Sequence, residues 1–275
     1  MMIAAWIDGV AADAVSLADR GLHYGDAAFT TIRVHAAHAC WVDRHIARLQ
    51  RACERLRLPP PPWTMLADEI ARAGADARVG VIKIMLSRGD GARGYAPIGN
   101  GRRIMFCFAP VSIDAAMYRD GVAVRLADLR LSDQPLLAGI KHANRLEQVL
   151  ARGEWNDPAI YESLLCDARD ELVSATSANV FARFGNELRT PSLAQSGVAG
   201  VCREQVIVSP PRGFSVTVAA VRRDDLHTAD ELFLSNALRG IVPVRALGDH
   251  RYAAHTAAHA LMRDLHPALG LPAIV

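Results

Sequence analysis

The chain has 275 residues, 51% of them hydrophobic, and its 31 basic side chains nearly balance 29 acidic ones for a net charge of +2. That composition excludes a disordered polyelectrolyte, and without a basic stripe the chain is not expected to take nucleic acid as a partner. No apolar stretch is long enough to span a bilayer, and "MMIAAWIDGV" lacks a basic segment followed by an apolar core, so no signal peptide or membrane partner is expected.

Taken along the chain, "MIAAWIDGVAADAV" reads as a hairpin turning at Asp8-Gly9, and residues 27–42 read as a second hairpin. Asp43 is a good N-cap, and Ile46, Leu49, Cys53 and Leu56 then recur at helical spacing until four prolines at 59–62 end the run. Residues 63–75 form another helical pattern. Strands over 78–89 and 102–113 should pair around the glycine-rich segment "SRGDGARGYAPIGNG". The apolar pattern pauses at 114–121, which reads as a linker between a domain at 1–113 and another at 122–275. The second domain opens with strand 122–131, and the segment from His142 to Trp155 reads as a helix. A meander of short strands follows over 159–191, then a glycine turn and helix at 198–208. Strands over 215–221, 231–236 and 241–247 lead to a closing helix from His255. Strands and helices mix without strict alternation, which favours two α+β domains over a doubly wound parallel sheet.

Only two of the 31 basic residues are lysines, Lys83 and Lys141. Arginine serves wherever a permanent charge suffices; lysine can lose its proton and act as a nucleophile, for example in a Schiff base. Lys83 lies in the apolar strand "VGVIKIMLSRG", where an unpaired charge is costly. The loop 87–95 combines three glycines, two arginines and a tyrosine, which suits a carboxylate ligand but equally a flexible hairpin connection. "SGVAGVCREQ" opens a helix through Gly200, so its first amides can face an anion, although many helices start this way without a ligand. The row Arg44, Arg48, Arg51 and Arg55 shares one helix face and would ordinarily be solvated. Five cysteines (Cys40, Cys53, Cys107, Cys166, Cys202) are odd in number and lack CxxC spacing, which fits free thiols in a reducing cytoplasm. The histidines show no ligand spacing, and no metal is expected. An amine nucleophile, a phosphate cradle and arginines for an anionic substrate together form the set a pyridoxal phosphate enzyme needs.

Seven motifs then occur in the order seen in one family: "DRGLHYGDAAFTTIRV", "HIARL", "SRGDGARGY", "GIKHANRLEQV", "SANVF", "GVAGVCRE" and "LSNALRGIVPV". They resemble the fold-type IV pyridoxal phosphate enzymes, a family that includes branched-chain and D-amino-acid aminotransferases. "GD-x-x-FTT", "SRG-x-G-x-RGY", "KH-x-NRLEQV" and "NAL" look most like its aminodeoxychorismate lyases. The resemblance implies an α+β fold-type IV architecture, with a smaller N-terminal α/β domain and a larger C-terminal mixed α/β pseudo-barrel domain. It implies pyridoxal 5'-phosphate as cofactor, aminodeoxychorismate as small-molecule substrate, and a homodimer. Lys141 would carry the cofactor and act as the catalytic base. Arg48 and the backbone amides of Val201, Cys202 and Ala237 would hold its phosphate, with Asn179 on the cofactor-side strand. Lys83, Arg88, Arg93 and Tyr95 would face the substrate carboxylates, and Tyr24, Thr30 and Asn236 would line the pocket. The family usually carries a glutamate at the position of Ser174, where it pairs with the pyridine nitrogen. Glu171, three residues earlier in an extended strand, would point to the opposite face. A weaker electron sink favours an elimination driven by aromatisation. It leaves two other readings: an aminotransferase of the same fold, or a non-catalytic protein that binds the cofactor.

Overall fold

The computed structural model describes residues 1–273 and divides into two compact units. The first comprises Met1–Ser112 with Ile140–Asn144, the second Ile113–Gly139 with Arg145–Val275. The division is therefore not a single cut in the sequence: the five residues around Lys141 belong with the N-terminal unit. The segment expected as a linker carries a short helix.

In the first unit the elements are β1 (Met2–Ile7), β2 (Val10–Ala11), α1 (Arg20–Tyr24), β3 (Ala27–His35), β4 (His38–Ala39), α2 (Val42–Leu56), α3 (Trp63–Ala77), β5 (Gly80–Ser87) and β6 (Arg102–Phe108). Its sheet runs β2-β1-β6-β5-β3-β4, antiparallel throughout. Alternation along the central strands sorts the two faces. Ala28, Ile32, Ile82, Ile84, Leu86, Met105 and Cys107 point to one side and pack with Leu49, Ala52, Leu66 and Ile70 of α2 and α3. Phe29, Thr31, Lys83, Met85 and Phe106 lie on the opposite face and are only partly buried. Helix α2 starts one residue before Asp43. Its N-cap is Trp41, in a left-handed conformation at φ 55° with no side-chain cap, and Asp43 sits in the first turn, where a carboxylate still favours the helix dipole.

The second unit contains α4 (Ala116–Arg119), β7 (Val122–Leu131), α5 (Leu146–Arg152), β8 (Ile160–Asp167), β9 (Leu172–Ala175), β10 (Asn179–Phe184), β11 (Glu187–Thr190), α6 (Val201–Val208), β12 (Ser215–Val218), β13 (Glu231–Asn236), β14 (Gly240–Leu247), β15 (His250–Arg251) and α7 (Thr256–Leu265). Its sheet runs β12-β11-β10-β13-β14-β7-β8-β9, with β15 paired to β14. Parallel pairs β14–β7, β7–β8 and β11–β12 interrupt an otherwise antiparallel order, which makes the unit mixed. Phe181 and Phe233, opposite each other on β10 and β13, stack at 5.0 Å in its core. The buried Glu231 carboxylate accepts from the Ala257 and Ala258 amides, supplying the cap that α7 lacks from its own side chains.

The helix expected from His142 begins only at Leu146. Residues before it are extended: Ala28 and His142 form an antiparallel bridge, Phe29 N donates to Lys141 O at 2.9 Å, and Ala143 N donates to Ala27 O at 2.8 Å. The segment thus runs along part of the free edge of β3. Backbone groups used in that pairing are unavailable to a helix.

Candidate active site

The edge pairing decides where Lys141 points. Directly opposed residues of an antiparallel pair share a face, so Lys141 stands beside Phe29. Its Nζ lies 4.6 Å from the Phe29 ring centroid. Lys83, opposite Thr31 on β5, reaches the same ring at 5.0 Å and the Phe106 ring at 5.7 Å. The chain's two lysines therefore flank one phenylalanine. Cation–π attraction of this kind compensates part of the desolvation of an ammonium. Burial still lowers the Lys83 pKa from its ordinary 10.5. An apolar groove of about 350 Å³ opens on the same unit, lined in part by Met85, Ile104, Phe106 and Leu22.

The segment carrying Lys141 is fixed from a second direction. Asn144 Nδ2 donates to Gly25 O at 3.2 Å, and a Cβ on Gly25 would come within 2.5 Å of Asn144 Oδ1. Gly25 also closes α1 at φ 62°, a conformation glycine adopts at little cost. On the helix side of β3, Thr30 meets His45 Nδ1 at 2.6 Å and accepts a hydrogen bond from Arg48 Nη2. All three are buried. Burial, followed by the nearby positive charges of Arg48 and Lys141, holds the His45 pKa well below 6.5 and keeps the ring neutral. His45 escaped the sequence reading, although it stands three residues before Arg48 in the quoted "HIARL".

Several residues expected at a ligand are committed to the protein's own backbone. Arg88 donates to both Asp26 oxygens and to the carbonyls of Leu56 and Arg57, so its guanidinium anchors the glycine-rich loop and has no free fork for substrate. Burial alone would raise the Asp26 pKa, but hydrogen bonds from Arg88 and Arg20 bring it below the ordinary carboxylate value. The Tyr24 hydroxyl accepts from Gly94 N at 3.2 Å, which makes it a loop contact. Arg93 and Tyr95 are exposed on either side of that glycine.

In the second unit, Asn236 Oδ1 accepts from the amides of Leu238 and Arg239, shaping the turn that contains Ala237. Helix α6 begins at Gly200 without a side-chain cap, leaving the Val201 and Cys202 amides at its dipole end. Asn179 Nδ2 donates to Val198 O at 2.8 Å, and a Cβ on Gly200 would lie 2.1 Å from Asn179 Oδ1. Asn179 thus braces the turn before the helix, and only glycine fits against it. Nearby on β13, the buried Ser235 hydroxyl has no hydrogen-bond partner among the described residues. An uncapped helix start on a glycine cradle, with an orphaned hydroxyl on the packed sheet, fits a phosphate group.

Ser174 is buried on β9, opposite Leu165. Glu171 lies apart from it, 3.9 Å from Arg169. The buried carboxylate near this strand belongs to Glu162 on β8, which the sequence reading missed. It accepts from Thr176 Oγ1, from Ser177 Oγ at 2.6 Å and N at 3.2 Å, and from Ser163 N at 3.0 Å. Those donors lie mostly 14 to 15 residues away, so only the folded hairpin brings them together.

With these features in place, the class follows from comparison with known proteins. The profile of the family described as amino-transferase class IV matches residues 27–247, and the chain belongs to that family. The family works with pyridoxal phosphate, and a lysine amine such as that of Lys141 suits that cofactor. Among individual relatives, aminodeoxychorismate lyase from Vibrio harveyi is 34% identical over 245 residues, covering 88% of this chain and 90% of that one. The crystal structure of 4-amino-4-deoxychorismate lyase from Pseudomonas aeruginosa is 38% identical, with a TM-score of 0.91 over 96% of this chain and 98% of that one. A branched-chain amino acid aminotransferase structure from Escherichia coli shares the fold at a TM-score of 0.86, with 20% identity over 98% of this chain and 96% of that one.

Proposed function

We propose that the chain is a lyase that converts 4-amino-4-deoxychorismate to 4-aminobenzoate and pyruvate, a step of folate synthesis. The observation that carries the reading is the 38% identity to the Pseudomonas aeruginosa lyase across nearly the whole chain. The positions of the two lysines agree with it. When bound, pyridoxal phosphate supplies an electron sink at the carbon bearing the substrate's amine. Lys141 would hold the cofactor through its amine and would serve as the base that takes the proton from C4. General base catalysis of this kind contributes about 10²–10⁴ in rate. The C3–O bond then breaks, the ring becomes aromatic, and the departing three-carbon fragment takes a proton to become pyruvate. No oxidant or second substrate is needed.

Arg48 and the amides of Val201, Cys202 and Ala237 are assigned to the cofactor phosphate, with Asn179 on the cofactor-side strand bracing the α6 turn and Ser174 at the position of the family's pyridine-nitrogen glutamate. Among the described residues Lys83 offers an ammonium with aromatic neighbours and no carboxylate partner, so one substrate carboxylate can complete its charge. Arg93 and Tyr95 are assigned to the other end of the substrate. Thr30, bound to Arg48 and His45, orients the arginine. The exposed Leu146, Val149 and Leu150, on one face of α5, support a homodimer. Among the described residues no helix is long and apolar enough to cross a membrane, and five buried free cysteines are compatible with a cytoplasmic site.

The test is direct. Purified protein supplied with pyridoxal phosphate and aminodeoxychorismate should release 4-aminobenzoate and pyruvate in equal amounts. Sustained glutamate formation from D-alanine or a branched-chain amino acid with 2-oxoglutarate, and no 4-aminobenzoate, would establish the aminotransferase reading instead. Cofactor binding with neither activity would establish the non-catalytic one.

A further inference from the structure

Loop 88–101 leaves β5 and returns to β6 with Tyr95 at its tip 87% exposed, yet one of its residues is held on both sides. Gly94 N donates to the Tyr24 hydroxyl at 3.2 Å, and Gly94 O accepts from Arg20 Nη1 at 2.8 Å. The first bond fixes the peptide plane between Arg93 and Gly94, the second that between Gly94 and Tyr95. Gly94 sits at φ 106° with open space around a would-be Cβ, so the backbone conformation, not crowding, requires glycine here. Arg20 is itself immobilised. It is buried, its Nε donates to Asp26 at 3.0 Å, and its guanidinium lies 4.7 Å from the Tyr24 ring. Its stem also floors the loop, because a Cβ on Gly91 would lie 2.6 Å from Arg20 Cδ. Tyr24 completes the arrangement by meeting Tyr95 edge-on at 5.5 Å.

We propose that Arg20, with Tyr24, is a positioning residue that clasps Gly94 so that Arg93 and Tyr95 are presented to the substrate in a preset direction. This rests on the lyase reading, in which those two side chains contact substrate. The clasp lowers the ordering needed when the substrate binds, so its loss appears in KM and not in the chemical step.

The experiment compares Tyr24→Phe and Arg20→Lys with the parent holoenzyme. The first variant deletes one hydroxyl; the second keeps charge but not the fork, and avoids the folding risk of a full truncation. Tryptic cleavage at the Arg93–Gly94 bond, mapped by mass spectrometry, should be about fivefold faster in Tyr24→Phe and at least about tenfold faster in Arg20→Lys. KM for aminodeoxychorismate should rise by similar factors while kcat stays within about twofold. Unchanged cleavage would overturn the clasp. Faster cleavage with unchanged KM, or a loss confined to kcat, would overturn the positioning role. If the parent protein makes no 4-aminobenzoate, the lyase reading fails and takes the positioning role with it, while the cleavage rates still decide the clasp.

Discussion

Replacing Lys83 with methionine separates stability from function, because the two should move apart. The Lys83 ammonium is half-buried over two aromatic rings, at 5.0 and 5.7 Å, with no carboxylate within salt-bridge distance among the described residues. Each cation–π contact contributes about 0.5–1 kcal/mol, and desolvation of the charge opposes it, so folding stability should change by no more than about 1 kcal/mol. A substrate carboxylate on this ammonium would instead form a charge-assisted contact, contributing about 1.5–3 kcal/mol, or roughly 10- to 150-fold in KM. Urea midpoints and steady-state 4-aminobenzoate formation measure the two quantities. The pH dependence sharpens the test. Burial lowers the Lys83 pKa, so its charge is complete below that depressed value and is lost as pH rises through it. KM should therefore climb at alkaline pH in the parent enzyme, and Lys83→Arg, which stays protonated, should flatten that limb. A methionine variant with unchanged KM would refute the assignment; so would one destabilised by more than about 3 kcal/mol, which marks a structural role.

Three further outcomes follow from the same geometry. Gly25→Ala should cost about 1–2 kcal/mol for its left-handed backbone and about 1 kcal/mol for the displaced Asn144 hydrogen bond. In the background of Asn144→Ala the second part should vanish, and full additivity in urea titrations would show that the two residues do not touch. Glu162→Ala strands two hydroxyl and two amide donors and should cost about 3 kcal/mol; a loss below about 1 kcal/mol would mean the turn at 176–177 is held by something else. His45 has a depressed pKa, so the stability of its neutral form is complete above pH 6.5 and falls as pH drops toward the folded value. His45→Gln should remove up to about 1.4 kcal/mol per pH unit of that acid loss. An unchanged difference between about pH 7.5 and about pH 5.5 would contradict a buried neutral imidazole.

The scarcity of lysine made Lys141 and Lys83 visible in the sequence, because chemistry separates an amine from a guanidinium whatever the fold. Their convergence on Phe29 was not visible. It depends on residues 140–144 pairing with β3 more than a hundred positions earlier, and local apolar spacing instead extended the following helix back to His142. Arg88, Tyr24 and Asn236 show a second limit. A polar side chain in a ligand-type motif reads the same whether it faces a ligand or holds the backbone that does. Glu162 was missed for the converse reason: its donors assemble only when β8 and β9 form their hairpin. Gly200 was readable as a helix start, but its steric need became evident only with Asn179 Oδ1 against it.

The proposed lyase chemistry requires the cofactor to be bonded to the Lys141 amine. Reduction of the cofactor-loaded protein with borohydride, followed by peptide mass mapping, should place the phosphopyridoxyl group on the peptide containing residues 139–145 and nowhere else. Its appearance on Lys83, or its absence from both lysines, would rule out Lys141 as the attachment point.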